Sequence, residues 1–371
     1  MQVNKLFLDG FRNYENFEAS FSDRVNIIVG NNAQGKTNLL EAIYYLAAGR
    51  SFRAVKGDKE LIAFHRDDAV LSAVVFSSGR EQTLQAHLSR VRRRRLYAND
   101  VKLKSAAELS GRLTAVLFCP DDIDIIRGGP ALRRRLLDGC LCQLRPRYAT
   151  ALAEYNRLLE HKTRVLRDYR DKPALLGTLE DFNQRLAETG AELIAVRAAY
   201  VNILSRIAAR VHGEVSDGAE TLTVSYKTVK TIENPHQKPA ALIPRLLEHQ
   251  KSHLRAELET GLCLSGPHKD DLEICIGGVP ARAFASQGQA RTAALSLKLA
   301  EREIHYEDRG EYPVLLLDDV LSELDEKRRN FVLNHIDKGQ VFITCCSALD
   351  ISAATGGRIL RIEAGRLAET L

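Results

Sequence analysis

The sequence predicts an α/β protein: a phosphate-binding head assembled from both ends of the chain, with a β-rich N-terminal lobe and an inserted helical lobe. Three observations predict it. A glycine-rich loop at 30–37 stands between an apolar strand pattern and a helical pattern. The apolar run Val314 to Leu317 ends in two aspartates, Asp318 and Asp319. Between these motifs the chain carries long stretches of helical periodicity. The expected segments are 1–147 (N-terminal part of the head), 148–258 (helical lobe) and 259–371 (C-terminal part of the head).

Residues 3–8 and 14–21 alternate apolar and polar side chains, the period of half-buried strands, and Gly10 and Asn13 between them suit a hairpin turn. "RVNIIV" follows as a buried strand. Gly30 and the sequence Gly35-Lys36-Thr37 come next, four residues apart, and then Leu39, Leu40, Ile43, Leu46 and Ala47 recur at helical spacing. Strand, loop and helix in that order are the context a P-loop requires. Its glycines let backbone N–H groups turn inward around a β-phosphate, and the helix N-terminus adds its dipole. Lys36 would reach the β- and γ-phosphates, and the Thr37 hydroxyl would ligate Mg²⁺.

"AVLSAVVFSS" and "QTLQAHLSRV" read as antiparallel strands, and "RRRRLYANDVKL" as a hairpin turning at Asn99-Asp100. From about residue 148 the pattern is helical. "YATALAEYNRLLEHKTRVLRDYR" and the longer run from Thr178 to Val215 would extend roughly 35 and 55 Å at 1.5 Å per residue. A strand ("TLTVSYKTV"), a polar loop around Pro235 and a third helix at about 240–258 complete the lobe. No strict heptad persists, so the lobe is compact and not a long coiled coil.

No apolar run reaches the roughly 18 residues of a membrane span, and no secretory leader is expected. The seven cysteines are scattered without a CxxC pair, which suits reduced cytoplasmic thiols better than a disulfide framework or zinc site. The net charge of +5 is uneven. Residues 90–147 hold 14 Lys/Arg and 6 Asp/Glu, a local +8, which leaves −3 for the rest. Such a field points to a polyanionic partner.

The distal motifs define the chemistry. A carboxylate at the end of the 314–317 strand, Asp318, can hold the Mg²⁺ shell opposite Thr37. Asp319 is placed to orient or deprotonate a water. Ser286 and Gly288 precede a strongly helical run and would form a second anion site there; a simple N-cap is the plainer alternative. Arg92, Arg93, Arg94 and Arg95, then Arg133 and Arg134 on a helix after Gly128-Gly129-Pro130, suit phosphate contacts or a solvated face, and the Arg133–Arg134 cluster could also brace a dimer or a nucleotide. No base-reading motif appears, so contacts to a nucleic-acid polyanion would be to phosphates, salt-dependent and nearly sequence-blind. His268, Asp270 and Asp271 in "GPHKDD" resemble a metal trio but fit a Pro-containing turn between strands.

The order P-loop, long insertion, Ser-x-Gly-Gln helix, Asp-Asp strand and Ser-x-Leu-Asp loop resembles the ABC-type ATPase heads of Rad50 and SMC proteins. "FRNYENFE", "GNNAQGKTNLLEAI", "PDDIDIIRGGPALRRRLLD", "SGPHKDDL", "SQGQARTAALSLKLAE" and "LLLDDVLSELDEKRR" together resemble the RecF family, nearly end to end. The resemblance implies a cytoplasmic protein that binds ATP and Mg²⁺, forms an ATP-dependent homodimer and hydrolyses ATP slowly. It further implies binding to duplex DNA and single-strand/duplex junctions. The expected setting is DNA replication, gap repair, recombination and the SOS response, alongside other recombination mediator proteins. Carried onto this chain, it places Gly30, Asn31, Asn32, Ala33, Gln34, Gly35, Lys36 and Thr37 on the phosphates, with Arg12 and Asn13 beside the nucleotide. Lys36 and Asp319 are the implied catalytic residues, and Thr37 and Asp318 the Mg²⁺ ligands. Ser286, Gly288 and Gln289 reach the nucleotide of a second copy. The strand "QVFITCCS" lacks the switch His of ABC transporters, and Thr344 is the nearest polar residue. A transporter ATPase subunit and a small-molecule P-loop kinase are the competing readings.

Overall fold

In the computed structural model, which describes residues 1–54, 57–347 and 355–370, the chain divides into two compact units. The first comprises residues 1–123, 214–216 and 294–371, and the second 124–213 and 217–293.

The first unit opens with β1 (Gln2–Phe11), β2 (Tyr14–Ser20) and β3 (Val25–Val29), followed by helix α1 (Lys36–Ala48). Strands β4 (Asp68–Ser77), β5 (Arg80–Ser89), β6 (Arg95–Ala98), β7 (Val101–Lys102) and β8 (Ala115–Phe118) follow. The expected hairpins form. β1 pairs antiparallel with β2 and β4, and β6 returns as β7 through Asn99 and Asp100, at φ 48° and 61°. Two consecutive left-handed residues are what a two-residue hairpin needs for its twist. The resulting sheet has the order β2-β1-β4-β5-β6-β7.

In the second unit α2 (Asp124–Arg127), α3 (Pro130–Leu144), α4 (Pro146–Asp168) and α5 (Leu179–Val215) precede β9 (Leu222–Lys227) and α6 (Pro239–Thr260). Strands β10 (Asp271–Ile276) and β11 (Val279–Pro280), then α7 (Ala281–Phe284), lead into α8 (Gln287–Arg309). β9, β10 and β11 form a small antiparallel sheet. The expected boundaries at 147 and 258 fall inside this unit. Ion pairs account for the difference: Arg133 on α3 pairs with Asp271 on β10, while Arg197 on α5 pairs with Asp138 on α3 and with Asp270. These bonds fold residues 124–147 and 259–293 together with the helices.

The remainder of the first unit is α8 from residue 294 onward, then β12 (Val314–Asp318), α9 (Glu326–His335), β13 (Val341–Cys345), β14 (Arg358–Glu363) and β15 (Arg366–Thr370). Its second sheet runs β15-β14-β3-β13-β12-β8, parallel except for the β14–β15 hairpin. β3, β12 and β13 are buried at every position, which explains their mostly apolar sequences; their polar members, Asn26, Asp318 and Thr344, are buried too. Leu39, Leu40, Ile43 and Leu46 of α1 lie in one core with Ile28, Leu316 and Phe342. Each fully buried aliphatic side chain contributes about 1.5–3 kcal/mol, so this packing fixes α1 against the sheet.

Candidate nucleotide site

The loop between β3 and α1 is shaped by its glycines. Gly35 has φ 114°, and a Cβ there would lie 2.7 Å from the Asn13 amide. A Cβ on Gly30 would lie 2.4 Å from the Ile362 carbonyl oxygen. Neither position accepts a side chain. The loop is held from outside as well. Asn13 Nδ2 donates to the Gln34 carbonyl at 2.9 Å, and Tyr14 OH to the Gly35 carbonyl at 2.9 Å. The Ala364 amide donates to Gln34 Oε1 at 2.6 Å. Lys36 is 4% exposed, its ammonium folded back on the carbonyls of Gly30 (2.7 Å) and Asn31 (3.1 Å). Asn32 accepts a bond from the Cys346 thiol, and Ala33 has φ 64°.

At the C-terminal edge of the parallel sheet, register places Asp318 on β12 opposite Thr344 on β13. Thr37 Oγ1 donates to Asp318 Oδ1 at 2.9 Å, and Thr344 Oγ1 to the same oxygen at 2.8 Å. Burial, with the Asp319 charge beside it, pushes the Asp318 carboxyl above its usual range, against the pull of both hydroxyls. Asp319 itself takes the left-handed conformation, φ 53°. The Thr37–Asp318 pair presents hard oxygen donors, a set suited to Mg²⁺.

Arg12 and Asn13 part company here. Asn13 touches the loop and accepts from Asn38. The Arg12 guanidinium instead forks onto both oxygens of buried Glu41, at 2.9 Å each, and onto the Glu60 carbonyl. Burial acts to raise the Glu41 pKa, but bonds from Arg12, Arg53 and Ser51 outweigh it and hold the carboxyl below its normal range. Arg53 escaped the sequence reading. It bonds Asn38 Oδ1 at 2.6 Å and Glu41 at 2.7 Å, and its charge acts on Asp318. No motif marks it, because it reaches the site through a loop after α1.

In the second unit, Ser286 caps the α8 helix. Its hydroxyl accepts from the Gln289 amide at 3.2 Å, and Gln289 Oε1 accepts from the Ser286 amide at 2.9 Å, a reciprocal capping box. Gln289 also donates to Glu220 at 2.8 Å, so in the free chain both ends of its side chain are engaged internally. Gly288 lies in the first turn and its carbonyl accepts from Thr292.

A family model described as the RecF/RecN/SMC N-terminal domain matches residues 2–364. The chain is 37% identical, over the full length of both, to a protein of Clostridium acetobutylicum named DNA replication and repair protein RecF. It is 38% identical to the protein of that name from Acetivibrio thermocellus, covering 99% of each.

The chain belongs to the RecF family.

A solved structure of the recombination mediator protein RecF with ATP superposes with TM-score 0.89 at 35% identity, covering 100% of this chain and 99% of that one. An SMC head from Pyrococcus furiosus gives TM-score 0.54 at 18% identity, which shows the shared ABC-type head fold.

In this RecF-family chain the arginine cluster separates into two kinds. Arg92, Arg93 and Arg95 are exposed, and Arg92 lies 3.6 Å from Asp68. Arg94 turns inward to Tyr45 OH (2.9 Å), the Gly49 carbonyl (2.6 Å) and Asp58 (3.1 Å), so it braces α1 instead of facing solvent. Arg133 also leaves the expected DNA surface. It is 3% exposed and forks onto Asp271 at 2.6 and 3.0 Å, because its phase on α3 points inward. Arg134 donates to the Asp270 carbonyl at 2.7 Å.

The same turn explains "GPHKDD". Asp270 accepts from Arg197 at 2.9 Å and from the Tyr226 hydroxyl, so the motif is an internal knot. His268 Nε2 donates to the Cys263 carbonyl at 2.9 Å, which leaves Nδ1 to accept from Tyr155 OH at 2.7 Å. Burial lowers its pKa to about 4. The unfolded chain, with a His pKa near 6.5, therefore takes up this proton first as pH falls. The stability tied to neutral His268 is complete above about pH 6.5 and is lost progressively toward pH 4. Asp270 works in the opposite sense, since burial pushes it up to about 6, so only a variant isolates the histidine. Between pH 7 and pH 4.5, wild type is expected to lose roughly 2 kcal/mol more than His268→Gln in urea unfolding. Equal losses would show that His268 does not carry the linkage.

Proposed function

We propose that this chain is an ATP-switched DNA-binding protein of DNA replication, gap repair and recombination. Two copies close on ATP and DNA, and slow hydrolysis reopens them. The observation that carries the reading is the meeting of Thr37 and Asp318 at 2.9 Å beside a built phosphate loop, in a family whose solved members include an ATP complex. The loop amides and Lys36 hold the phosphates. Thr37 and Asp318 hold Mg²⁺, which when bound offsets charge on the β- and γ-phosphates. Asp319 orients the attacking water and accepts its proton. The capped N-terminus of α8, with Ser286, Gly288 and Gln289, faces the γ-phosphate held by the second copy. Its setting is the cytoplasm, with other recombination mediator proteins and the SOS response. The transporter and kinase readings have no feature of this chain in their favour once the family match spans residues 2–364.

DNA is met by the exposed arginines Arg92, Arg93 and Arg95, at gapped duplexes and single-strand/duplex junctions. Anisotropy of labelled gapped DNA, titrated at several salt concentrations with and without a slowly hydrolysed ATP analogue, tests this. Nucleotide should tighten binding about tenfold or more. Arg93→Ala with Arg95→Ala should lower the slope of log affinity against log salt by about 1–2. Arg94→Ala should leave that slope unchanged while lowering thermal stability. No effect of nucleotide on affinity would end the switch reading, and an unchanged slope would move the DNA to another face.

A further inference from the structure

We infer that Thr344 is a positioning residue that sets both catalytic-edge aspartates at once, resting on the nucleotide reading above. Its single hydroxyl makes two bonds of opposite sense. It donates to Asp318 Oδ1 at 2.8 Å and accepts from the Asp319 amide at 2.9 Å. The Asp319 carbonyl is held in turn by the Ser322 hydroxyl at 2.7 Å. The backbone of Asp319 is thus clamped on both sides in a left-handed conformation, φ 53°, that a residue with a β-carbon seldom adopts unaided. Thr344 is 1% exposed, so its hydroxyl has no solvent competing for these bonds.

The two hydroxyls on Asp318 are not equivalent. Thr37 begins α1, and its oxygen belongs to the hard-donor set proposed for Mg²⁺. Thr344 stands behind the carboxylate on the neighbouring strand and makes no bond to the phosphate loop among the described residues. It therefore fixes which Asp318 oxygen remains free for the cation, while its acceptor side aims Asp319. Groups that hold a metal-binding carboxylate from behind typically change metal affinity or activity by about 10–100-fold when removed.

The test uses the full chain and a fluorescent ATP analogue. Thr344→Val keeps the shape and deletes both bonds; Thr344→Ser keeps the hydroxyl and deletes only a methyl group. In chelator, all three proteins should bind the analogue within about twofold of one another. On titrating Mg²⁺, Thr344→Val should need about tenfold more cation for half-maximal tightening, with kcat also down about tenfold. Thr344→Ser should lie within about threefold of wild type. The proposal is overturned if Thr344→Val follows the wild-type Mg²⁺ curve, if Thr344→Ser fails as Thr344→Val does, or if binding in chelator falls by the same factor as binding in Mg²⁺. A wild type that binds no nucleotide would overturn the ATP reading itself, a distinct result from any difference among the variants.

Discussion

Lys36→Ala is expected to cut ATP hydrolysis by about 10²–10³-fold, the cost of removing one preorganised charge from a phosphoryl-transfer site. The free structure explains why the loss should be large. The ammonium is already buried over its own loop, bound to the Gly30 and Asn31 carbonyls, and ready to exchange those acceptors for phosphate oxygens. Little reorganisation is needed when nucleotide arrives. Alanine removes the charge and leaves the Gly30 and Asn31 carbonyls without the ammonium that they bind. Lys36→Arg retains charge, but a planar guanidinium cannot occupy the same place as a compact ammonium. It should therefore restore part of the binding and little of the turnover. Phosphate release and nucleotide affinity, measured together, separate these effects. Near-normal hydrolysis in Lys36→Ala would mean that phosphates are held elsewhere.

The same residue shows what a sequence can display. Strand β3, the loop and α1 are contiguous, so their chemistry was legible as a string: glycines where backbone approaches backbone, then lysine and threonine at the first helical turn. The Asp318-Asp319 strand end was equally local. Other parts depend on register and phase. Thr344 stands out in the sequence only as the nearest polar residue at its strand end; parallel pairing is what sets it opposite Asp318. Arg93 and Arg94 are neighbours of identical chemistry. One is exposed, and the other is drawn into α1 by Tyr45 and Asp58. Arg133 reads as surface charge until helix phase and Asp271 bury it. Strand β8 is a four-residue apolar run at the sheet edge, too short to separate from its surroundings by periodicity.

Ser286→Arg is expected to abolish nucleotide-induced dimerisation, giving monomers in sedimentation velocity where wild type gives dimers. Ser286 is exposed and caps the helix that the proposed function directs at a second copy's γ-phosphate. Two losses coincide in the arginine variant. The cap disappears, at about 1 kcal/mol, and a cation stands at the positive end of the helix dipole. More decisive is volume, because a long side chain holds the two surfaces apart where they must meet around one triphosphate. Ser286→Ala separates these causes. It loses the cap but leaves the space open, so it should still dimerise, with an affinity weakened by about tenfold or less, as a 1 kcal/mol cap predicts. Monomeric behaviour in both variants would place the requirement in the hydroxyl, as a direct phosphate contact. A Ser286→Arg protein that dimerises like wild type would remove this helix from the interface. ATP-dependent closure would then need another surface.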